Sequence, residues 1–125
     1  MSKTVYTPNA PEAIGPYSQA VCTGNLVFTS GQIAIDPAKG AVTAVTIEEQ
    51  TDQVCRNLKA VLEAAGSDLT RVVKTTCYLR NMEDFAAFNA VYATYFTGKP
   101  ARSCVAVREL PKNVLVEIDT IAEIG

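Results

Sequence analysis

The residues best suited to chemistry are Arg102 and Cys104, in Pro100-Ala101-Arg102-Ser103-Cys104-Val105, and Glu117, in Val116-Glu117-Ile118. Both segments read as strands, rich in β-branched and small apolar residues. On a strand Arg102 and Cys104 share one face, and Ser103 and Val105 take the other. A guanidinium in such a setting offers a planar fork of donors to a carboxylate or phosphate. A partly buried carboxylate has a raised pKa and can pass a proton near neutral pH. One fixed cation and one carboxylate among apolar residues point to a small anionic substrate and proton transfer. Structural roles compete: an ion pair for Arg102, a salt-bridged strand glutamate for Glu117. Asp119, two residues on, shares the face of Glu117. Cys104 is a thiolate nucleophile or contributes only its backbone.

Composition narrows the chemistry. The chain of 125 residues has no histidine. That removes Ser-His-Asp and Cys-His catalysis, a histidine base and histidine-ligated metals together. Acid–base work must fall to a carboxylate, Tyr, Lys, Cys or water. Cysteines stand at 22, 55, 77 and 104. No CxxC pair and no zinc spacing occurs, and Cys22, Cys55 and Cys77 read as small buried hydrophobes. A net charge of −2 argues against a nucleic-acid partner. No apolar run approaches the ~20 residues that span a bilayer. The segment Met1-Ser2-Lys3-Thr4-Val5-Tyr6 lacks an apolar signal core, so a cytoplasmic protein with no membrane partner is expected.

The elements that must position these residues follow from pattern. A single domain over 1–125 is expected from length. Thr4 to Tyr6 is a candidate edge strand. Gln19 to Thr23 and Leu26 to Thr29 read as a hairpin around Gly24-Asn25. Thr46-Ile47-Glu48-Glu49 is a capping box. The helix behind it carries Ile47, Thr51, Val54, Leu58, Val61, Leu62 and Ala65 on one face and stops at Gly66. Asp52, Arg56, Lys59 and Glu63 fall largely on the solvated side. Val72 to Leu79 is a strand. A second helix opens at Asn81 or Asp84 with a core stripe of Phe85, Phe88, Tyr92, Tyr95 and Phe96. Asn89 sits on that stripe, and a polar amide there needs a partner. Strands 102–107 and 114–122 complete the chain. About six strands and two helices suit an α+β layer with both helices on one sheet face. In the last strand Val116, Ile118 and Thr120 oppose Leu115, Glu117, Asp119 and Ile121. Both faces are substantially apolar, so the second face is expected to be covered by other subunits.

Five groups of residues carry a resemblance over essentially the whole chain. They are Ile14-Gly15-Pro16-Tyr17-Ser18-Gln19, Thr29-Ser30-Gly31-Gln32, Ala64-Ala65-Gly66, Pro100 to Val105, and Leu110-Pro111-Lys112 with Val116-Glu117-Ile118. In this order they resemble the Rid (YjgF-like) family of reactive-intermediate deaminases, RidA branch. The resemblance implies a chorismate-mutase-like α+β fold, with a six-stranded mixed sheet and two helices on one face. It implies a homotrimeric barrel with sites between subunits. It also implies hydrolysis of 2-imino acids and enamines, such as 2-iminobutanoate and 2-iminopropanoate, to 2-keto acids and ammonia, with no cofactor and no metal. By position, Arg102 matches the carboxylate-binding arginine and Glu117 the glutamate near the catalytic water. Cys104, Tyr17, Ser30, Gly31 and Asn89 match other pocket residues. The competing roles are loop packing for Tyr17, a turn for Ser30, and capping of strand-end backbone groups for Asn89. The segment Thr97-Gly98-Lys99 is shorter than in some relatives. The alternative function is a non-catalytic trimer that binds a metabolite or acts as a chaperone-like holdase. Chorismate mutase chemistry needs several pocket cations, and a ribonuclease role is disfavoured by the acidic charge and missing histidine.

Overall fold

The structure is a computed structural model, and it describes residues 2–125. The chain runs β1 (Lys3–Val5), β2 (Ala20–Thr23), β3 (Leu26–Thr29), β4 (Ile35–Asp36), β5 (Ala41–Val42) and α1 (Ile47–Ala64). It continues through β6 (Val72–Leu79), α2 (Phe85–Tyr95), β7 (Ala101–Ala106) and β8 (Val116–Glu123). Six strands form one sheet in the order β1-β2-β3-β8-β6-β7; β4 and β5 pair separately. The sheet is mixed: β6 and β7 are parallel, and the other pairs are antiparallel. The two-stranded ribbon β4–β5 closes around Asp36-Pro37-Ala38-Lys39-Gly40, a segment whose Pro, Asp and Gly read from sequence as a turn after the extended run through Ile33 and Ile35.

Local chemistry explains the elements. Gly24 adopts φ 57 in the two-residue turn between β2 and β3, a conformation open to glycine at no steric cost. Thr46 caps α1 by accepting from the Glu49 N–H, and the Glu49 carboxylate accepts from the Thr46 N–H. This reciprocal cap stabilises the helix by roughly 1 kcal/mol.

The core lies between the helices and one sheet face. Val54, Leu58, Val61 and Leu62 of α1 are fully buried, as are Phe88 of α2, Val27, Leu79, Val116 and Ile118. Each such side chain contributes about 1.5–3 kcal/mol by leaving water. Along β8 the residues alternate: Val116, Ile118, Thr120 and Ala122 are buried, while Glu117, Asp119 and Ile121 are half-buried on the opposite face. Among the described residues that opposite face carries no helix. On it Phe28 stays 40%, Val73 42% and Val105 46% exposed. β7 ends the sheet with one edge unpaired among the described residues, and five of its six residues are exposed.

Candidate functional site

Two half-sites stand on opposite faces of the sheet. β8 pairs with β6 so that Glu117 meets Tyr78 and Thr120 meets Thr75. β6 pairs with β7 so that Thr75 meets Arg102 and Cys77 meets Cys104. Thr75 and Cys77 are buried on the helix side. Arg102 and Cys104 therefore point to the helices, and Glu117 points to the open face. Two strand spacings and three residue steps separate Arg102 from Glu117, roughly 14 Å along the sheet. They cannot converge on one small substrate within one chain.

The first half-site is a cleft of about 200 Å³ on the open face. Tyr17, Gly31 and Glu117 line it, with Ile14, Ile33 and Gln32 among its walls. Two hydrogen bonds between Gln32 and Ile118 pin the segment after β3 against β8. They set Gly31 so close to Glu117 that a Cβ there would collide with the Glu117 Oε2. Only glycine leaves the carboxylate its place. Burial pushes the Glu117 pKa above the ordinary 4.5, and Asp119 pushes it the same way. Asp119 does not line the cleft. Burial raises its pKa too, but the Tyr78 hydroxyl donates to its Oδ2 at 3.1 Å, and Lys74 lowers it further. The adjacent carboxylate is thus engaged, while Glu117 faces the cleft.

Ser30 serves a different purpose. Its Oγ donates to the Ser18 carbonyl at 2.6 Å, and its N–H donates to the Gln19 carbonyl. It ties the Tyr17 loop to β3 rather than lining the cleft. Gln19, buried, completes that tie. Its side chain accepts from the Thr7 N–H and donates to the carbonyls of Thr7 and Pro11. Buried Asn57 on α1 donates to the carbonyls of Ile33 and Ile35, holding the cleft wall from beneath. Gln50 accepts from the Leu115 N–H and so fixes the entry to β8. Gln19, Gln50 and Asn57 were not among the residues expected from sequence.

The second half-site is a groove of about 370 Å³ beside β7. Arg102, Asn89, Tyr92, Phe96, Lys99 and Pro100 are among the residues lining it. Arg102 donates from Nη1 to the Asn89 Oδ1 at 2.7 Å. No carboxylate among the described residues forms an ion pair with Arg102; the single pair is Arg56–Asp52. Arg102 is exposed, so its charge is available to a ligand. Burial pushes the Cys104 thiol up, and Arg102 draws it partly back. Cys77, across the strand, is pushed up to about 12 by burial. Neither environment supplies an activated thiolate. Among the described residues no group of three His, Cys, Asp or Glu side chains could hold a metal ion, and no helix is long and apolar enough to cross a membrane.

Gly31→Ala should displace the Glu117 carboxylate rather than unfold the chain. If the cleft carries the chemistry, kcat should fall roughly 10–10²-fold, the scale of a small misplacement of a reacting group. Steady-state rates and melting temperature on the purified variant check this; a parent-like kcat would detach Gly31 and Glu117 from turnover.

Comparisons with known proteins identify the family and the fold. Residues 7–124 match the family model described as Endoribonuclease L-PSP. A RutC family protein of Pyrococcus horikoshii is 54% identical over 98% of both chains. A Salmonella typhimurium protein named 2-iminobutanoate/2-iminopropanoate deaminase is 51% identical over 98% of both. The crystal structure of Escherichia coli TdcF with bound serine superposes with a TM-score of 0.94 at 40% identity, covering 98% of this chain and 99% of that one. With motifs, sheet topology and full-length identity in agreement, the chain belongs to the Endoribonuclease L-PSP family, the YjgF/RidA family.

Proposed function

We propose that this protein is a hydrolytic deaminase of 2-imino acids and their enamine tautomers, working at sites between the subunits of a homotrimer. One observation carries the reading. Arg102, a guanidinium with no carboxylate partner among the described residues, and Glu117, a partly buried carboxylate, occupy opposite faces of one sheet and line separate clefts. A neighbouring copy that brings its β7 edge against the open face would join Arg102 of one chain to Glu117 of the next. The exposed Phe28, Val73 and Val105 on that face, and the unpaired β7 edge, suit such a contact. The deaminase name of relatives at about half identity supports the substrate class.

The chemistry needs little more than these groups. The carbon of a protonated imine is already electrophilic. Arg102 holds the substrate carboxylate by two parallel hydrogen bonds and so fixes the plane of the imine. Glu117 accepts a proton as a water oxygen forms its bond to C2. The same proton passes to nitrogen in the resulting carbinolamine, the C–N bond breaks and ammonia leaves, while the freed Glu117 carboxylate takes the proton of the C2 hydroxyl as that oxygen becomes a keto group and passes it on to the departing ammonia as ammonium. Water is the only co-reactant, and no covalent intermediate with Cys104 is required. Tyr17 walls the cleft. Cys104→Ser should accordingly keep turnover within about tenfold of the parent, since no activated thiolate is invoked. Abolished turnover in a folded Cys104→Ser variant would require a side-chain role for the thiol.

The direct test generates the imine in place. A threonine dehydratase supplies 2-iminobutanoate, and formation of 2-oxobutanoate is timed with and without the protein. Acceleration above spontaneous hydrolysis supports the deaminase; identical rates at micromolar protein refute it. A second reading, a non-catalytic binder of amino or keto acids, draws on the serine bound to the related TdcF. It predicts binding without acceleration. The family description mentions an endoribonuclease, but this chain has a net charge of −2 and no histidine, which favour neither RNA binding nor histidine-based cleavage.

A further inference from the structure

The Arg102 guanidinium sits in a cage built by α2. Its Cζ lies 4.9 Å from the centre of the Tyr92 ring, 5.4 Å from Phe85 and 6.0 Å from Phe88. All three distances fall within the range of cation–π attraction. Asn89, between these rings on the same two helical turns, accepts from Nη1. The cage is itself anchored. The Tyr92 hydroxyl shares a 2.7 Å hydrogen bond with Thr75, the residue opposite Arg102 across the β6–β7 pair. The Tyr92 ring stacks on Phe96 at 4.5 Å and lies tilted against Phe88 at 5.4 Å.

The partners of the guanidinium are neutral, so its charge is steered without being cancelled. A surface arginine ordinarily samples many rotamers, and ordering it at the moment of binding costs affinity. Here three rings and the Asn89 amide already contact the guanidinium and restrain it. Nη1 is the nitrogen on the Cδ side of the guanidinium. With a donor there engaged by Asn89, the opposite edge, Nε and Nη2, has no acceptor among the described residues. That edge is a two-donor fork matched to a carboxylate.

We propose that Phe85, Asn89 and Tyr92 are positioning residues that lock the Arg102 guanidinium and present its Nε–Nη2 edge to the substrate carboxylate. This rests on the reading of Arg102 as a carboxylate clamp, and assigns Asn89 to the arginine rather than to the substrate. The sequence places these residues on one helical stripe, where packing alone would account for them; the guanidinium among them shows the further use.

The test needs one readout without ligand and one with it. Arginine side-chain nitrogen NMR at low temperature reports whether rotation about the Nε–Cζ and Cζ–Nη bonds is restricted, with Arg102→Lys identifying the signals. Distinct, non-averaged Nη signals are expected in the ligand-free parent. Phe85→Leu and Asn89→Ala should average them, whereas Phe85→Tyr, which keeps the ring, should preserve them. Titration calorimetry with 2-oxobutanoate should then show affinity at least about fivefold weaker in Phe85→Leu and Asn89→Ala, and close to the parent in Phe85→Tyr. In turnover the loss should fall mainly on KM. Averaged Nη signals in the parent, or unchanged signals and affinity in both disruptive variants, would overturn the proposal. Distinct signals in a parent that binds no 2-oxo acid would uphold the lock and remove the carboxylate reading instead.

Discussion

Glu117→Gln is expected to lower kcat by about 10² or more, the scale of one positioned acid–base group, without loss of stability. The amide keeps the size and much of the hydrogen bonding of the carboxyl but cannot carry the proton. The stability half follows from the shifted pKa. Burial and Asp119 raise the Glu117 pKa on folding. The protonated form is thus the one the folded chain prefers. Its stabilising contribution is complete below the ordinary value of 4.5 and is lost as pH rises through the higher folded value. At neutral pH the parent holds an ionised carboxylate in a partly desolvated cleft, and the amide removes that cost. The variant should melt at or above the parent temperature at pH 7, with the difference shrinking below about pH 4. A salt-bridging glutamate would behave in the opposite way: near-normal kcat and a lower melting temperature at neutral pH. Rates and melting curves at both pH values separate the two. The raised pKa also places the acid limb of the pH–rate profile above the ordinary glutamate range, and Glu117→Gln should abolish that limb.

Arg102→Lys is expected to cost at least about tenfold in kcat/KM, or roughly 1.4 kcal/mol, although the charge is retained. An ammonium has no planar fork to match a carboxylate, and it cannot stack on Phe85 and Tyr92 while donating to Asn89 from one rigid plane. The loss should appear both in turnover and in the affinity for 2-oxobutanoate. Melting temperature should change little, because Arg102 is exposed and joins no ion pair among the described residues. An unchanged kcat/KM would return Arg102 to a structural role on the β7 edge.

Much of this arrangement is legible in the sequence. The alternation in β8 identifies Val116, Ile118 and Thr120 as one face and Glu117 with Asp119 as the other, and the fold places them so. The capping box at Thr46, the Gly24 turn and the spacing of Val54, Leu58 and Val61 fix their elements for the same reason: each local choice has one low-energy conformation. The polar core was harder. Gln50 and Asn57 stand four before and three after Val54, on the buried stripe of α1. The same spacing marks Asn89 on α2 and, on α1, marks both Gln50 and Asn57. Gln19 carries no such signal, since its partners are backbone carbonyls of an irregular loop at residues 7 and 11. The close approach of Gly31 to Glu117 depends on how the segment after β3 docks on β8, a contact between residues 86 positions apart that no local pattern encodes. The alternation likewise puts Arg102 and Glu117 each on a face of its own strand. That the two faces are opposite follows only from the pairing of β7 with β6 and of β6 with β8.

The central claim is that Arg102 of one chain and Glu117 of another complete one site. Co-expression of Arg102→Ala and Glu117→Gln chains tests it directly. Each variant alone should be nearly inactive. In randomly mixed trimers with one site per interface, about a quarter of interfaces should pair an intact Arg102 with an intact Glu117. The randomly assembled population should therefore recover about a quarter of the parent kcat per site, oligomers purified to contain both chains about a third, and light scattering should report a trimer. Activity no greater than the average of the two inactive variants, in oligomers shown to contain both chains, would contradict a site shared between subunits.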